Sequence, residues 1–188
     1  MPKTVTFDRE KVVENVMMLF WKKGYTATSM QDLVDVTGLN RSSFYNSFGD
    51  KFSLYEEALK LYEVKQQEMI HRYMIGSSSP KEALKALFKG ISSDIRAGNQ
   101  NGCMISNCTS ELASQDARVK EFLIANKDYV VDLFEGLIKE AQKQGQIDSS
   151  RESKSMALFL FSSLHGLRIT SVIDPHLDGV VEEIMRVL

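Results

Sequence analysis

Hydrophobic residues recur every three or four positions along nearly the whole chain, which is the period of an amphipathic α-helix. This pattern predicts helices over about 9–23, 51–75, 80–97, 103–113, 116–144, from Ser150 or Ser153 to Ile173, and 178–188. Two shorter helices are predicted between residues 28 and 48. The chain contains only three prolines, and no stretch alternates between hydrophobic and polar residues as a strand does. We therefore predict an all-α fold.

The segment 28–51 predicts two short helices joined by a tight turn. Thr28 can cap the first helix, and Gln31 three residues later can complete a capping box. Gly38 ends that helix because glycine readily adopts positive φ. Asn40 then caps the second helix, residues 41–48. Two helices in this arrangement form a helix-turn-helix, whose second helix lies in the DNA major groove. An ordinary helical hairpin would show the same spacing and caps.

The first turns of the second helix would face the base edges of bound DNA in such a unit. Here these turns carry Arg41, Ser42, Ser43 and Asn46, whose side chains all form hydrogen bonds readily. None of the four is large and apolar. Their chemistry therefore favours a DNA-reading helix over a buried one.

The residues around this unit form a recognisable pattern. After the Gly38-Leu39 turn comes Phe-Tyr-x-x-Phe-x-x-Lys, which runs from Phe44 to Lys51. On this pattern the segment 8–55 resembles the DNA-binding domain of the TetR family of transcriptional repressors. Further matching residues are Arg9, Leu19-Phe20, Gly24-Tyr25, Thr28, Leu33, Ser43 and Leu54. The remainder of the chain resembles the family only in architecture.

The resemblance implies that the chain binds a double-stranded DNA operator as a homodimer. It also implies that Tyr45 and Lys51 contact phosphates, which position a protein without reading sequence. A helix N-terminus with a hydroxyl suits a phosphate as well, although for Tyr45 a core ring with its hydroxyl at the surface is the alternative. The predicted DNA-binding residues are Thr28, Ser29, Asn40, Arg41, Ser42, Ser43, Tyr45, Asn46 and Lys51.

Overall charge gives no support for nucleic-acid binding. The 188-residue chain has a formal net charge of −2, and basic and acidic residues balance in the first fifty positions. The DNA prediction therefore depends on where charges lie. The start of the chain has no apolar signal-peptide region, and the uncharged run 155–167 is shorter than the roughly 17 residues that a membrane span needs. We expect a cytoplasmic protein that does not enter a membrane.

The long helix that begins at Lys51 divides the chain by function. It contains neither glycine nor proline up to residue 75, so at ~1.5 Å per residue it spans close to ~40 Å. We predict a helix-turn-helix DNA-binding domain in residues 1–50 and a helical ligand-binding and dimerisation domain in residues 51–188.

The two cysteines lie in a distinctive run, Gly-Cys-Met-Ile-Ser-Asn-Cys from Gly102 to Cys108, followed by Glu-Leu-Ala at 111–113. This run resembles one branch of the family, in which some members sense electrophiles or oxidants through a cysteine. Cys103 is at a helix start, where the helix dipole favours thiolate. The alternative is that both cysteines are small core residues. No Cys/His spacing suits a metal, and we expect no cofactor.

A pocket for a small-molecule effector of unknown identity is expected between the long fourth helix and the helices starting near 80, 103 and 116. Methionine and aromatic residues at helical spacing are candidate walls, although such residues are more often plain core. The candidates are Met69, Tyr73, Phe88, Phe122, Tyr129 and Phe134, together with Cys103, Cys108 and His165.

The segment 157–168 combines small and bulky residues at helical spacing. Small residues let another helix approach closely, and bulky ones fill the seam. With the apolar last helix, this segment predicts a dimer interface of two helices from each subunit, as the family resemblance also implies. An intramolecular core face is the alternative. The predicted interface residues are Phe159, Ser162, Ser163, Gly166, Leu167, Val181 and Ile184.

Taken together, the sequence predicts a TetR-type repressor that an effector releases from DNA. Two other classes stay open. One is a helical interaction module without DNA binding. The other is an enzyme with Cys103 as nucleophile and His165 or His71 as base, although no spacing fixes such a pair and no phosphate-binding loop is present. We expect no enzymatic activity.

Overall fold

The computed structural model describes residues 7–99 and 101–188. In that part the chain forms nine α-helices and no strand, which confirms the all-α prediction. The helices are α1 Arg9–Lys23, α2 Met30–Thr37, α3 Arg41–Phe48, α4 Lys51–Met74, α5 Pro80–Arg96, α6 Met104–Leu112, α7 Ala117–Lys143, α8 Ser153–Thr170 and α9 Asp178–Val187. The largest departure from prediction is at the end of α8, which stops at Thr170 rather than Ile173.

The first four helices begin at side-chain caps. The carboxylates of Asp8 and Asp50 accept from backbone N–H groups at the starts of α1 and α4, and Asn40 does the same for α3. The predicted cap of α2 was wrong by one residue. Ser29 is the N-cap and forms a capping box with Asp32, so neither Thr28 nor Gln31 fills the predicted role.

Buried apolar residues form two clusters. The first joins α1, α2, α3 and the first half of α4 to α6 and the start of α7. The second joins the end of α4 to α5, the rest of α7, α8 and α9. Hydrophobic packing is therefore continuous across Lys51, because α6 of the C-terminal half completes the core of the N-terminal helices.

Among the described residues, no helix is both long enough and apolar enough to cross a membrane.

Candidate nucleic-acid interface

Helix α3 is held by its two ends and by one buried face. Asn40 Oδ1 accepts from the backbone N–H of Ser43 at 2.9 Å, and Gly49 ends the helix at positive φ. Phe44 and Phe48 point into the first cluster with their rings 5.7 Å apart. These contacts fix the rotation of α3 about its axis, and so they determine which residues face solvent.

The opposite face of α3 is polar and exposed. Arg41, Ser42 and Asn46 are exposed, and Tyr45 has 49% of its surface accessible. Of the remaining candidates on this segment, Asn40 is exposed and Ser43 is half-buried. The alternative that Tyr45 is a core ring does not fit this exposure. A guanidinium, hydroxyls, an amide and a phenol thus project together from a rigid helix, as DNA contact requires.

The N-terminus of α2 presents Ser29 rather than Thr28. Thr28 is buried, and its hydroxyl donates to the backbone carbonyl of Gly24 at 2.6 Å. Ser29 is exposed. Asp32, which forms the capping box with Ser29, also forms a salt bridge with Lys23 at 2.6 Å. Of the two predicted hydroxyls at this turn, only that of Ser29 lies on an exposed residue.

Lys51 lies at the start of α4 and is half-buried. Its ammonium lies 4.3 Å from the centre of the Tyr25 ring. Burial lowers the pKa of Lys51, and the charges of Glu111 and Asp32 oppose that fall. The lysine is thus held beside the α1–α2 turn, at the same end of the molecule as Ser29.

Arg9 braces the far end of α3, a role that sequence reasoning did not assign to it. Its guanidinium donates to the carbonyl of Ser47 at 2.8 Å and to the carboxylate of Glu57 at 2.6 Å. It also lies over the Phe48 ring, 4.5 Å from its centre. Arg9 therefore links α1, α3 and α4 while its side chain stays partly exposed.

A second group of polar residues lies inside the C-terminal half, around Cys103. Ser106 Oγ and His165 Nδ1 are 2.6 Å apart, and Arg168 donates to the Tyr62 hydroxyl at 3.2 Å. Arg168 is nine-tenths buried, and no carboxylate of the described chain lies within ion-pair distance of it. A buried cation of this kind favours a nearby anion.

The two buried cysteines differ in acidity. Burial disfavours ionisation of Cys103, but His165 and the positive charge of Arg168 outweigh it, so the pKa of this thiol falls to about 6. Burial raises the pKa of Cys108, with Tyr55 as its hydrogen-bonding neighbour. Both cysteines are free thiols. The structure thus brings Cys103 and His165 together, although no sequence spacing predicted this.

The other predicted pocket residues are dispersed. Phe88 and Phe134 are fully buried in the second cluster, with Met69 and Tyr73 at its edge, while Tyr129 is 39% exposed. Phe122 lines a groove of about 290 Å³ between α4 and α7. His165 lines a different groove, of about 440 Å³, between α6, α7 and α8. In the chain as described, these residues therefore do not enclose one common cavity.

The predicted interface residues divide into two sets. Phe159, Ser162 and Gly166 of α8 are exposed, and Ser163 is half-buried. By contrast, Leu167, Val181 and Ile184 are buried in the second cluster of their own chain. The apolar side of α9 therefore packs within the subunit, and these three residues contribute to its core.

Within 7–99 and 101–188, no group of three or more His, Cys, Asp or Glu residues is arranged to hold a metal ion.

Sequence comparison identifies both halves of the chain. A profile described as bacterial regulatory proteins of the tetR family matches residues 14–58. A profile described as the tetracyclin repressor-like C-terminal domain matches residues 80–176, which is more than half of the chain.

Individual relatives agree with these profiles. The uncharacterized HTH-type transcriptional regulator YezE of Bacillus subtilis (strain 168) is 23% identical over 186 residues, covering 98% of this chain and 96% of YezE. The HTH-type transcriptional repressor ComR of Escherichia coli (strain K12) is 27% identical over 169 residues, covering 88% of this chain and 80% of ComR.

Solved structures show the same fold. A cysteine mutant of the TetR family transcriptional regulator CifR, complexed with 26-bp double-strand operator DNA, matches with a TM-score of 0.82 at 23% identity, covering 99% of this chain and 98% of CifR. The regulatory protein TetR from Rhodobacter sphaeroides matches with a TM-score of 0.86 at 15% identity, covering 97% of this chain and 99% of that protein's chain.

Proposed function

Since this chain belongs to the TetR family of bacterial transcriptional regulators, we propose that it is a homodimeric repressor released from its operator by an effector. Residues 1–50 bind DNA in this proposal, and residues 51–188 dimerise and receive the effector. The observation that supports it best is the exposed polar face of α3, which two buried phenylalanines hold outward. The relatives and neighbours are transcriptional regulators and not enzymes.

The proposed DNA contacts follow from exposure. Arg41 and Asn46 face base edges in the major groove, with Ser42 beside them. Tyr45 and Lys51 contact phosphates on either side, and Ser29 takes the phosphate role that the sequence predicted for Thr28, whose hydroxyl is buried against the Gly24 carbonyl. Two copies of α3 in a two-fold dimer would enter successive major grooves roughly 34–36 Å apart, so the operator is near-palindromic.

The proposed dimer surface is the α7–α8 face, which we define as Gly136 of α7 with Leu158, Phe159, Ser162, Gly166 and Ile169 of α8. Phe159 and Ile169 expose 42% and 54% of their surfaces. A Cβ built at Gly136 or Gly166 meets nothing within 4 Å, so packing inside the subunit does not require glycine at either position. A glycine within a helix costs about 1 kcal/mol relative to alanine, and close approach of a partner helix is a reason to keep it.

Exchange of Arg41 for alanine tests the DNA-binding part of the proposal. We expect operator affinity to fall by about 1–3 kcal/mol, and the dependence of log K on log salt to become less steep if Arg41 also contacts phosphate. DNA that wild-type protein selects from a random double-stranded pool supplies the operator, and fluorescence anisotropy over several salt concentrations measures binding.

Lys89→Ala is the matched control, since it removes one exposed cation from α5, far along the chain from α3. If wild-type protein selects no DNA, the repressor proposal fails and a helical interaction module becomes the better description. Equal binding by Arg41→Ala and Lys89→Ala would instead overturn the assignment of α3 as the reading helix.

The proposed effector step is oxidation of Cys103 by a small peroxide. The thiolate sulfur attacks one peroxide oxygen and forms a sulfenic acid, while the O–O bond breaks and hydroxide leaves. Thiolate is the nucleophile, so a pKa of about 6 keeps Cys103 ionised at neutral pH. A group with a depressed pKa loses its charge as pH falls, so reactivity is expected to decline below about pH 6.

Cys108 provides an internal comparison for this step, because it is equally buried and has a raised pKa. We expect hydrogen peroxide at neutral pH to oxidise Cys103 before Cys108, and the oxidised protein to bind its operator more weakly. Mass spectrometry after trapping of sulfenic acid measures the order. Oxidation of both cysteines at the same rate would contradict the role of His165 and Arg168.

A further inference from the structure

Helix α6 reaches from the C-terminal half to the α1–α2 turn of the DNA-binding helices. Glu111, in its last turn, accepts a hydrogen bond at Oε2 from the backbone N–H of Thr26 at 2.8 Å. One turn earlier, the Asn107 amide donates to the carbonyl of Trp21 at 3.5 Å. These bonds join residues about 85 positions apart in the chain.

The carboxylate of Glu111 packs against the backbone of Gly24, which has no side chain. Gly24 has φ +81°, and a Cβ built there would lie 2.5 Å from Glu111 Oε1. Any residue with a side chain at position 24 would therefore displace the carboxylate as well as strain the backbone. The Glu111 carboxylate therefore occupies the space that a side chain at position 24 would fill.

The turn that Glu111 holds leads directly to the proposed DNA contacts. The Gly24 carbonyl accepts a hydrogen bond from the Thr28 hydroxyl, and the next residue, Ser29, is the N-cap of α2. Burial lowers the pKa of Lys51, and the negative charge of Glu111 is the larger of two charges that oppose this effect. Glu111 is thus bonded to the turn that leads to Ser29 and interacts with the charge of Lys51, and both residues are proposed phosphate contacts.

The other end of α6 lies in the group of residues around Cys103. Cys103 is the N-cap residue of α6, and Ser106 in its first turn bonds to His165 of α8 at 2.6 Å. The helix has only nine residues, so at ~1.5 Å per residue its ends are about 14 Å apart. A short rigid helix with a polar anchor at each end transmits a shift at one anchor to the other.

We propose that Glu111 is a positioning residue for DNA binding, which fixes the α1–α2 turn to α6 and so holds Ser29 and Lys51 in register with the operator. The inference rests on the proposed function, since it assigns regulation to the same DNA-binding surface. It also gives the Cys103 group a physical route to that surface, because both act on α6.

Two substitutions at Glu111 separate positioning from charge. Glu111→Ala removes the acceptor for Thr26, whereas Glu111→Gln keeps an acceptor oxygen and removes the charge. We expect operator affinity to fall about tenfold in Glu111→Ala, the scale of one lost charge-assisted hydrogen bond, and to stay within about threefold of wild type in Glu111→Gln. The dependence of log K on log salt should become less steep in Glu111→Ala but not in Glu111→Gln, because Lys51 loses its phosphate contact when the turn shifts.

Glu121→Ala is the matched control, since it removes an exposed carboxylate from α7 and changes net charge equally. If Glu111 acted only by repelling DNA phosphates, both Glu111 variants would bind more tightly than wild type, and tighter binding of Glu121→Ala as well would show an effect of net charge alone. Amide hydrogen exchange at Thr26 gives a direct readout, with faster exchange expected in Glu111→Ala than in Glu111→Gln or wild type.

The outcomes separate this inference from the proposed function. If wild-type protein binds its selected operator and Glu111→Ala binds it equally well, the positioning role is overturned and the repressor proposal stands. If Glu111→Ala lowers the thermal midpoint and Glu111→Gln does not restore affinity, Glu111 is a stabilising residue only, and the inference fails. Lost affinity, an unchanged midpoint and rescue by glutamine together support it.

Discussion

Phe159→Lys combined with Ile169→Lys is expected to convert the protein to a monomer and to weaken operator binding by about 10²–10⁴-fold. Both side chains lie on the α7–α8 face, and both are substantially exposed in the single subunit. In a two-fold interface each substitution occurs twice, so four ammonium groups would be desolvated without partners. The effective penalty for each buried ion is several kcal/mol.

The loss of affinity follows from geometry and leaves α3 intact. Two linked reading helices bind the second half-site at a high effective concentration, which a monomer cannot use. Analytical ultracentrifugation gives the oligomeric state, and anisotropy on full and half operators gives the affinity. Half-site binding by the double variant should match that of wild type.

A matched control places the same charges elsewhere. Val64 and Ile75 of α4 and its C-cap expose 50% and 83% of their surfaces, and Val64→Lys with Ile75→Lys should leave the dimer intact. If the α8 variant remains a dimer, the α7–α8 face is not the interface. If the α4 variant dissociates instead, the interface lies along α4.

Phe44→Ala is expected to destabilise the protein by about 3–5 kcal/mol, the usual cost of truncating a fully buried phenylalanine. Phe44 has no accessible surface and lies at the centre of the contact between α3 and the first cluster. A domain of this size is stable by about 5–15 kcal/mol, so the loss is a fifth or more of the total. Operator binding should be lost with it.

The adjacent residue supplies the control for this prediction. Tyr45→Ala removes an exposed ring from the same helix, so stability should change little while operator affinity still falls through the lost phosphate contact. Urea denaturation followed by circular dichroism measures stability. An unchanged midpoint for Phe44→Ala would mean that α3 is not anchored through this ring.

The helix-turn-helix was predictable because its determinants are local. Gly38 ends α2, Asn40 and Gly49 define the two ends of α3, and the spacing of Phe44 and Phe48 sets the buried face of α3. Thr28 and Ser29 were harder to separate, since either hydroxyl can cap α2. In the structure the Thr28 hydroxyl bonds to the Gly24 carbonyl four residues earlier and Thr28 is buried, which leaves the cap to Ser29. That burial depends on tertiary packing.

Other features could not be predicted from the sequence because they join distant parts of the chain. Val181 and Ile184 have the period of an apolar helix face, but periodicity does not say whether the same subunit or a partner covers that face. Cys103 and His165 are 62 positions apart, and no local pattern predicts that α6 and α8 bring them together. The bond from Thr26 to Glu111 spans 85 residues, and no local sequence pattern predicts it either.

The shared first cluster has a consequence for building hybrid regulators. Because α6 and the start of α7 supply one wall of the core that encloses α1, α2 and α3, a graft of residues 1–50 onto the body of another regulator would leave that wall to foreign side chains. A chimera that keeps the native packing of this core has to carry residues 103–123 together with residues 1–50. The interchangeable unit of this protein is therefore discontinuous in the gene.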